Sequence, residues 1–377
     1  MHDYLVMTPG PTPIRENVRK AMAMPITNPD LDSDFYKLYE ETVDLFKKLV
    51  STNQEAYILS GEGILGLEAA CASLIEAGDR VLCIENGIFG KGFGDFVKMY
   101  GGEVVYFSGH PQRGIDAGEL EDFLKKDSDF KFATLVHCET PSGLTNPIHT
   151  LTPLLDRYNI ASVVDAVSAV GGEQIKTDDW KIDILLVGSQ KCLSAAPGLT
   201  LLTVSKRAEK LMEDRKTPIV GFYANLTMWK GWKEKQWFPY TQPISDIFGL
   251  KVALENALGE EGLLERHYRL GKACRQTFIA AGLKLFPEDS HSNTVTAIQQ
   301  PSDINFDKLF DYMKTEHKIL IAGAFGPLKD KVIRIGHMGE NARPELLSRT
   351  FSALQQGFQA QGSHIDIDMK AYFDALL

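Results

Sequence analysis

The stretch "IDILLVGSQK" (182–191) runs through four consecutive apolar residues, turns at Gly188 and Ser189, and arrives at a lysine. An unbroken apolar run has no polar face to give to water, so it reads as a strand covered on both sides. Similar runs lie around it: "EAYIL" (55–59), "RVLCIE" (80–85), "EVVYF" (103–107), "FATLVHC" (132–138), "ASVVDAV" (161–167) and "LTLLTVS" (199–205). Between them come stretches of helical character, among them "ILGLEAACASLIEA" (64–77), the residues up to Met99, "AGELEDFLKK" (117–126) and "LTPLLDRYN" (151–159). Strands alternating with helices predict an α/β fold, a mostly parallel seven-stranded sheet with helices on both faces. Ligands of such sheets bind beyond the C-terminal ends of the strands.

Beyond residue 250 the pattern changes. Helical stretches near 249–280 and 342–359 flank the shorter strand candidates "NTVTAIQ" (293–299), "ILIAGA" (319–324) and "KVIRIGH" (331–337). The expected organisation is a large α/β domain over 20–250 and a smaller α+β domain over 251–377, joined by the N-terminal segment 1–19.

With 377 residues, 44% apolar and 24% charged, the chain can bury a packed core. A net charge of −10 without a long basic run argues against nucleic acid or an anionic membrane as partner. No run approaches the roughly 18 apolar residues that span a bilayer, and "MHDYLVMTPGPTP" does not read as a secretory signal. The five cysteines, at 71, 83, 138, 192 and 274, are scattered and show no CxxC spacing. They predict neither a disulfide framework nor a metal site, and fit the reducing cytoplasm.

The residues just past each strand are more telling. After the first come Gly61 and Gly63, which allow close backbone approach, and then a helix whose free amides can cradle a phosphate. After the second, "NGIFG" sets Phe89 near a helix start; after "FATLVHC" comes the hydroxyl-rich "ETPSGLTNP"; Asp165 ends "ASVVD"; Lys191 ends "GSQK". Taken singly, the glycines suit a tight turn, Phe89 a core position and Asp165 a helix cap. Taken together at one sheet edge, they fit pyridoxal phosphate. Lys191 holds the aldehyde as a Schiff base, Asp165 pairs with the pyridine nitrogen, and Val167 and Phe89 form floor and lid. The backbone from Gly61 to Ile64, with Gln190, serves the phosphate. A lysine buried beside an apolar ring also has a depressed pKa, which suits a proton shuttle.

These segments, with "TPGPTP" (8–13), "HCETPSG" (137–143), "VVDAVSAVGG" (163–172), "GSQKCLSAAPG" (188–198) and "VIRIGHMG" (332–339), resemble the fold-type I pyridoxal-phosphate enzymes. Within these the likeness is to the class V aminotransferases, nearest the alanine/serine–glyoxylate (or pyruvate) group, and it covers nearly the whole chain. The resemblance implies ping-pong transamination from alanine or serine to glyoxylate or pyruvate. It implies that Lys191 moves the proton, Asp165 pairs with the ring nitrogen, Thr140 bonds near the ring hydroxyl and Phe89 stacks on the ring. Glu62, Gly63 and Ile64 would give backbone amides to the phosphate, joined by Gln190, over a floor at Val167. Thr241 would reach the neighbouring subunit's phosphate, making a homodimer the working unit, and Arg334 would grip the substrate carboxylate.

The chain departs from the group's pattern in several places. Ile64 stands where histidine is frequent, Phe89 where tryptophan is common, and Phe238 where some relatives carry a phosphate-binding tyrosine. "HCETPSGLTNPI" also resembles 2-aminoethylphosphonate–pyruvate transaminases. A carbon–sulfur lyase of the desulfurase kind needs a mobile-loop cysteine, and "AGAFGPLKDK" (322–331) has none. In "MWKGWKEKQWFPY" (228–240), aromatics interleaved with lysines suggest a rim or dimer contact.

Overall fold

The structure, a computed structural model, describes residues 3–377. Seven strands form the main sheet: β1 (Glu55–Ser60), β2 (Arg80–Glu85), β3 (Glu103–Ser108), β4 (Phe132–Val136), β5 (Ala161–Asp165), β6 (Ile184–Gly188) and β7 (Leu199–Val204). Their order is β1-β7-β6-β5-β4-β2-β3. β7 runs antiparallel to both its neighbours, and the other pairings are parallel. The sheet is the predicted one, mostly parallel with helices between its strands. β4, β5, β6 and β7 are buried at every position, which is why their sequences show no polar alternation.

A second sheet of β8 (Val295–Gln299), β9 (Ala322–Gly323) and β10 (Val332–Gly336) has β10 at its centre. It sits with the helices Leu263–Ala280, Phe306–Glu316 and Pro344–Gln359 around a separate apolar core that includes Leu270, Ile333, Ile335, Phe351 and Phe358. The helix Ile244–Gly259 gives Ile247, Leu250 and Leu254 to the larger core instead. The N-terminal segment bridges the two. Leu5–Val6 pairs in parallel with Ile319–Leu320, Met7 belongs to the smaller core, and Val18 to the larger.

One long helix, Ser33–Leu49, is not evident in the sequence. It is amphipathic, burying Phe35, Tyr39, Val43 and Phe46, and Asp32 caps its start by accepting from the Asp34 amide. The aromatic-and-lysine stretch packs against it. Trp229, Trp232 and Phe238 are buried around Tyr39, with Phe238 stacked on Tyr36 at 4.6 Å. Those three rings are core, not rim; of the five aromatic rings in the stretch only Trp237 is exposed. No helix of the described residues is long and apolar enough to cross a membrane.

Candidate active site

The C-terminal ends of β1, β2, β4, β5 and β6 converge on one edge, where Gly63, Phe89, Asp165, Val167 and Lys191 stand. Lys191 comes three residues after β6. Its Nζ donates to the Pro9 carbonyl at 2.7 Å, while Thr12 Oγ1 donates to the Lys191 carbonyl at 2.8 Å. Burial, reinforced by the nearby Arg334 cation, holds the Lys191 ammonium below its ordinary range, and Asp165 works against both. A proton therefore leaves this amine more readily than it leaves a surface lysine.

Asp165 closes β5, in register with Leu186 and Val136. Its Oδ1 accepts from the Val167 amide at 2.9 Å. Burial pushes the carboxyl up to about 6, opposed by the Val167 amide and Lys191. A cationic ring nitrogen beside it would lower it again. Val167 is wedged between the start of the helix Gly63–Leu74 and the end of β6: a Cβ at Gly63 or Gly188 would come within 2.9 Å of its methyl groups. The missing side chains are what let Val167 occupy this position at the strand ends.

Arg334 projects from β10. Its Nε and Nη2 donate to the Gly323 carbonyl at 2.8 and 2.5 Å, and its Nη1 donates to the Thr140 carbonyl at 3.3 Å. That uses three of five N–H groups and leaves two. Burial lowers its pKa to about 10, with no carboxylate among the causes. Among the described residues it makes no ion pair, so it is a buried cation without a counter-ion. Phe325 packs between it and Phe89: the guanidinium lies 5.9 Å from the Phe325 centroid, and the Phe89 ring meets Phe325 edge-on at 6.0 Å. Thr140 is buried next to this group. Thr241 stands exposed just before Ile244–Gly259, and among the described residues no hydrogen bond ties it to Lys191.

Three contributors are not marked in the sequence. Pro9 and Gly10 lie in "TPGPTP", whose role no spacing reveals. Gly10 has φ +79°, and a Cβ there would fall 2.5 Å from Lys191 Cδ and 2.8 Å from Nζ. Gly10→Ala should therefore displace the lysine, cost about 1–2 kcal/mol of stability through the left-handed backbone, and lower kcat far more than Tm suggests. Parallel melting and turnover measurements check this; an active variant would show that the lysine does not work from this position.

The third is Glu139, fully buried beside Thr140. Its Oε1 accepts from the Gly90 amide at 2.6 Å and its Oε2 from the Phe89 amide at 3.2 Å, fixing the helix start that carries Phe89. Burial raises its pKa from 4.5 to about 7, against those two amides. The fold therefore favours the protonated acid, and this contribution is full below the unfolded value and lost as pH rises to 7. Relative to Glu139→Gln, which does not titrate, wild-type unfolding free energy should fall by about 3 kcal/mol between pH 4.5 and 8. Denaturant melts of both proteins across that range test it, and a constant difference would refute it.

The family model "Aminotransferase class-V" matches residues 16–308, and the chain belongs to that family: it is an aminotransferase of fold type I. A pyridoxamine–pyruvate transaminase of Mesorhizobium japonicum is 33% identical over 368 residues, 96% of this chain and 93% of that protein. An alanine–glyoxylate aminotransferase of Drosophila melanogaster is 29% identical, over 97% of this chain and 94% of that one. The crystal structure of a pyridoxamine–pyruvate aminotransferase from Mesorhizobium loti matches with a TM-score of 0.95 at 32% identity, covering 100% of this chain and 97% of that one.

Membership in this family implies pyridoxal phosphate. The ring end of the site suits it, with an amine, a buried carboxylate and an apolar wedge in place. The phosphate end does not suit it. The Ile64 amide, which the sequence assigns to the phosphate, donates to Glu62 Oε1 at 3.2 Å, and Gln190 Nε2 donates to Glu62 Oε2 at 3.1 Å. The Ile64 amide and one of the two Gln190 N–H groups are thus taken by a carboxylate of the chain itself.

Proposed function

We propose that this aminotransferase delivers an amino group to a small 2-oxo acid, pyruvate or glyoxylate, at the edge built by Lys191, Asp165 and Arg334. The observation that carries the reading is the buried, unpaired Arg334 guanidinium, with two N–H groups left, within electrostatic reach of the Lys191 amine. Two parallel N–H donors suit the fork of a carboxylate. A vitamin B6 ring supplies the electron sink when bound. The chain supplies the rest: Arg334 fixes the carboxylate, Asp165 stabilises a proton on the ring nitrogen, and Lys191, with its lowered pKa, takes and returns the proton at the reacting carbon.

For the amino donor, alanine or serine is the first reading, in line with the alanine–glyoxylate relative. The second, pyridoxamine with pyruvate as acceptor, is favoured by Glu62 in the phosphate cradle. A homodimer is part of the proposal. In its favour, Val220, Phe222 and Tyr223 are exposed, and Tyr223 stacks on Tyr240 at 4.3 Å, next to Thr241. Five free, buried cysteines accord with a cytoplasmic setting.

Absorption spectra test the reading. The visible band of the lysine-bound aldehyde should bleach with an amino donor and return with pyruvate or glyoxylate. A band that no donor bleaches would overturn it.

A further inference from the structure

We propose that the cradle at the start of Gly63–Leu74 refuses a phosphate and holds a neutral hydroxymethyl group, so that the ring this site takes is unphosphorylated: pyridoxal on Lys191, pyridoxamine as donor. This rests on the second donor reading above and assigns its specificity to Glu62 and Gln190.

A phosphate seat at a helix N-terminus works by offering unspent N–H groups to an anion. Here the seat already contains one. Glu62 caps its own helix, taking the Ile64 amide with one oxygen and the Gln190 amide nitrogen with the other. An incoming phosphate monoester carries about −1.5 to −2 charges at neutral pH. It would have to compete for both donors while facing the carboxylate that holds them. The side chains at positions 64 and 238 supply no donor in exchange. Ile64 is apolar and 45% exposed, and Phe238 is locked into the aromatic core on Tyr36.

The second observation concerns the Gln190 amide oxygen. Gln190 is 7% exposed, and its Oε1 is buried without a hydrogen-bond partner among the described residues. Its bond to Glu62 fixes which end of the amide is oxygen, because a carboxylate accepts only from the nitrogen. The seat therefore presents an orphaned acceptor beside a carboxylate with lone pairs to spare. Acceptors call for a donor. A phosphate dianion has none, whereas the hydroxyl of a hydroxymethyl group has one.

The transfer balances without a further reagent. Pyridoxamine and pyruvate give pyridoxal and alanine: nitrogen passes from C4′ to C2, and oxygen passes from C2 to C4′. One C–H bond breaks at C4′ and one forms at C2, so C4′ is oxidised by two electrons and C2 reduced by two. Lys191 carries the proton between them.

The test is binding, read apart from turnover. Protein freed of B6 by hydroxylamine and dialysis is titrated with pyridoxal and, separately, pyridoxal phosphate, following the visible band and the heat of binding. We expect pyridoxal to bind at least about tenfold more tightly, and Glu62→Ser, which keeps a helix cap, to shift that ratio toward the phosphate by at least about tenfold. Glu62→Gln, which removes only the charge, should shift it the same way. Equal affinities, a wild-type preference for the phosphate, or a ratio unmoved by both variants would overturn the inference and leave transamination standing. Absence of a Lys191-dependent band with either compound would instead overturn the proposed function, and this inference with it.

Discussion

Lys191→Ala should lose the visible band of the bound aldehyde entirely and turn over about three to four orders of magnitude more slowly than wild type. Two roles disappear together, the covalent hold on the ring and the proton shuttle. The fold should hardly notice, because the amine's one hydrogen bond is to the Pro9 carbonyl at the cleft. Removing a buried, partly desolvated ammonium also relieves a cost. The expected Tm is therefore unchanged or slightly raised. Methylamine added to the variant should restore part of the proton transfer, with a pH dependence set by the added amine. A variant that keeps its band and its rate would show that another group holds the ring.

Arg334→Lys separates charge from geometry. The positive charge remains, yet a single ammonium cannot reproduce two parallel N–H donors, and it leaves the Thr140 and Gly323 carbonyls short of partners. Losing the fork should cost about 3 kcal/mol, or roughly 100-fold in KM for the 2-oxo acid. kcat at saturation should fall less, because Lys191 and Asp165 are untouched. Arg334→Leu, which keeps neither the charge nor a donor, should raise KM further. Steady-state kinetics against pyruvate and glyoxylate decide the matter. An unchanged KM would place the carboxylate elsewhere.

The strands are legible because they are buried on both faces and so carry their environment in composition alone. β2 matches its apolar run residue for residue, and β4, β5 and β6 differ from theirs only at flanking residues. The reversed direction of β7 is not legible: "LTLLTV" packs equally well either way, and its partner β1 lies far back along the chain, with Leu199 opposite Ser60. Ser33–Leu49 is hidden because its buried face is built from rings of types also common in strands.

At the site, Lys191 and Asp165 stand out as charged residues ending apolar runs, an expensive placement that asks for a reason. Pro9 and Glu139 carry no such mark. One contributes a backbone carbonyl, which every residue has, and the other is a single acid in a polar turn. The destination of the Glu62 side chain is equally hidden. The sequence shows a helix start after two glycines, and only the folded chain shows that the anion in the cradle is its own.

The pairing of Leu5–Val6 with Ile319–Leu320 has a consequence for biosynthesis. These two strands leave the ribosome about 300 residues apart, which at 5–20 residues per second is a delay of roughly 15–60 s. Throughout that interval the segment that caps the reactive amine has no strand to pair with. The large sheet can complete itself around β7 well before the cleft closes. A nascent chain arrested near residue 300, with the helix Ile244–Gly259 already outside the ribosome and Ile319–Leu320 not yet made, should thus resist protease across its sheet while leaving Lys191 open to small aldehydes of any kind, and release of the finished chain should close that window.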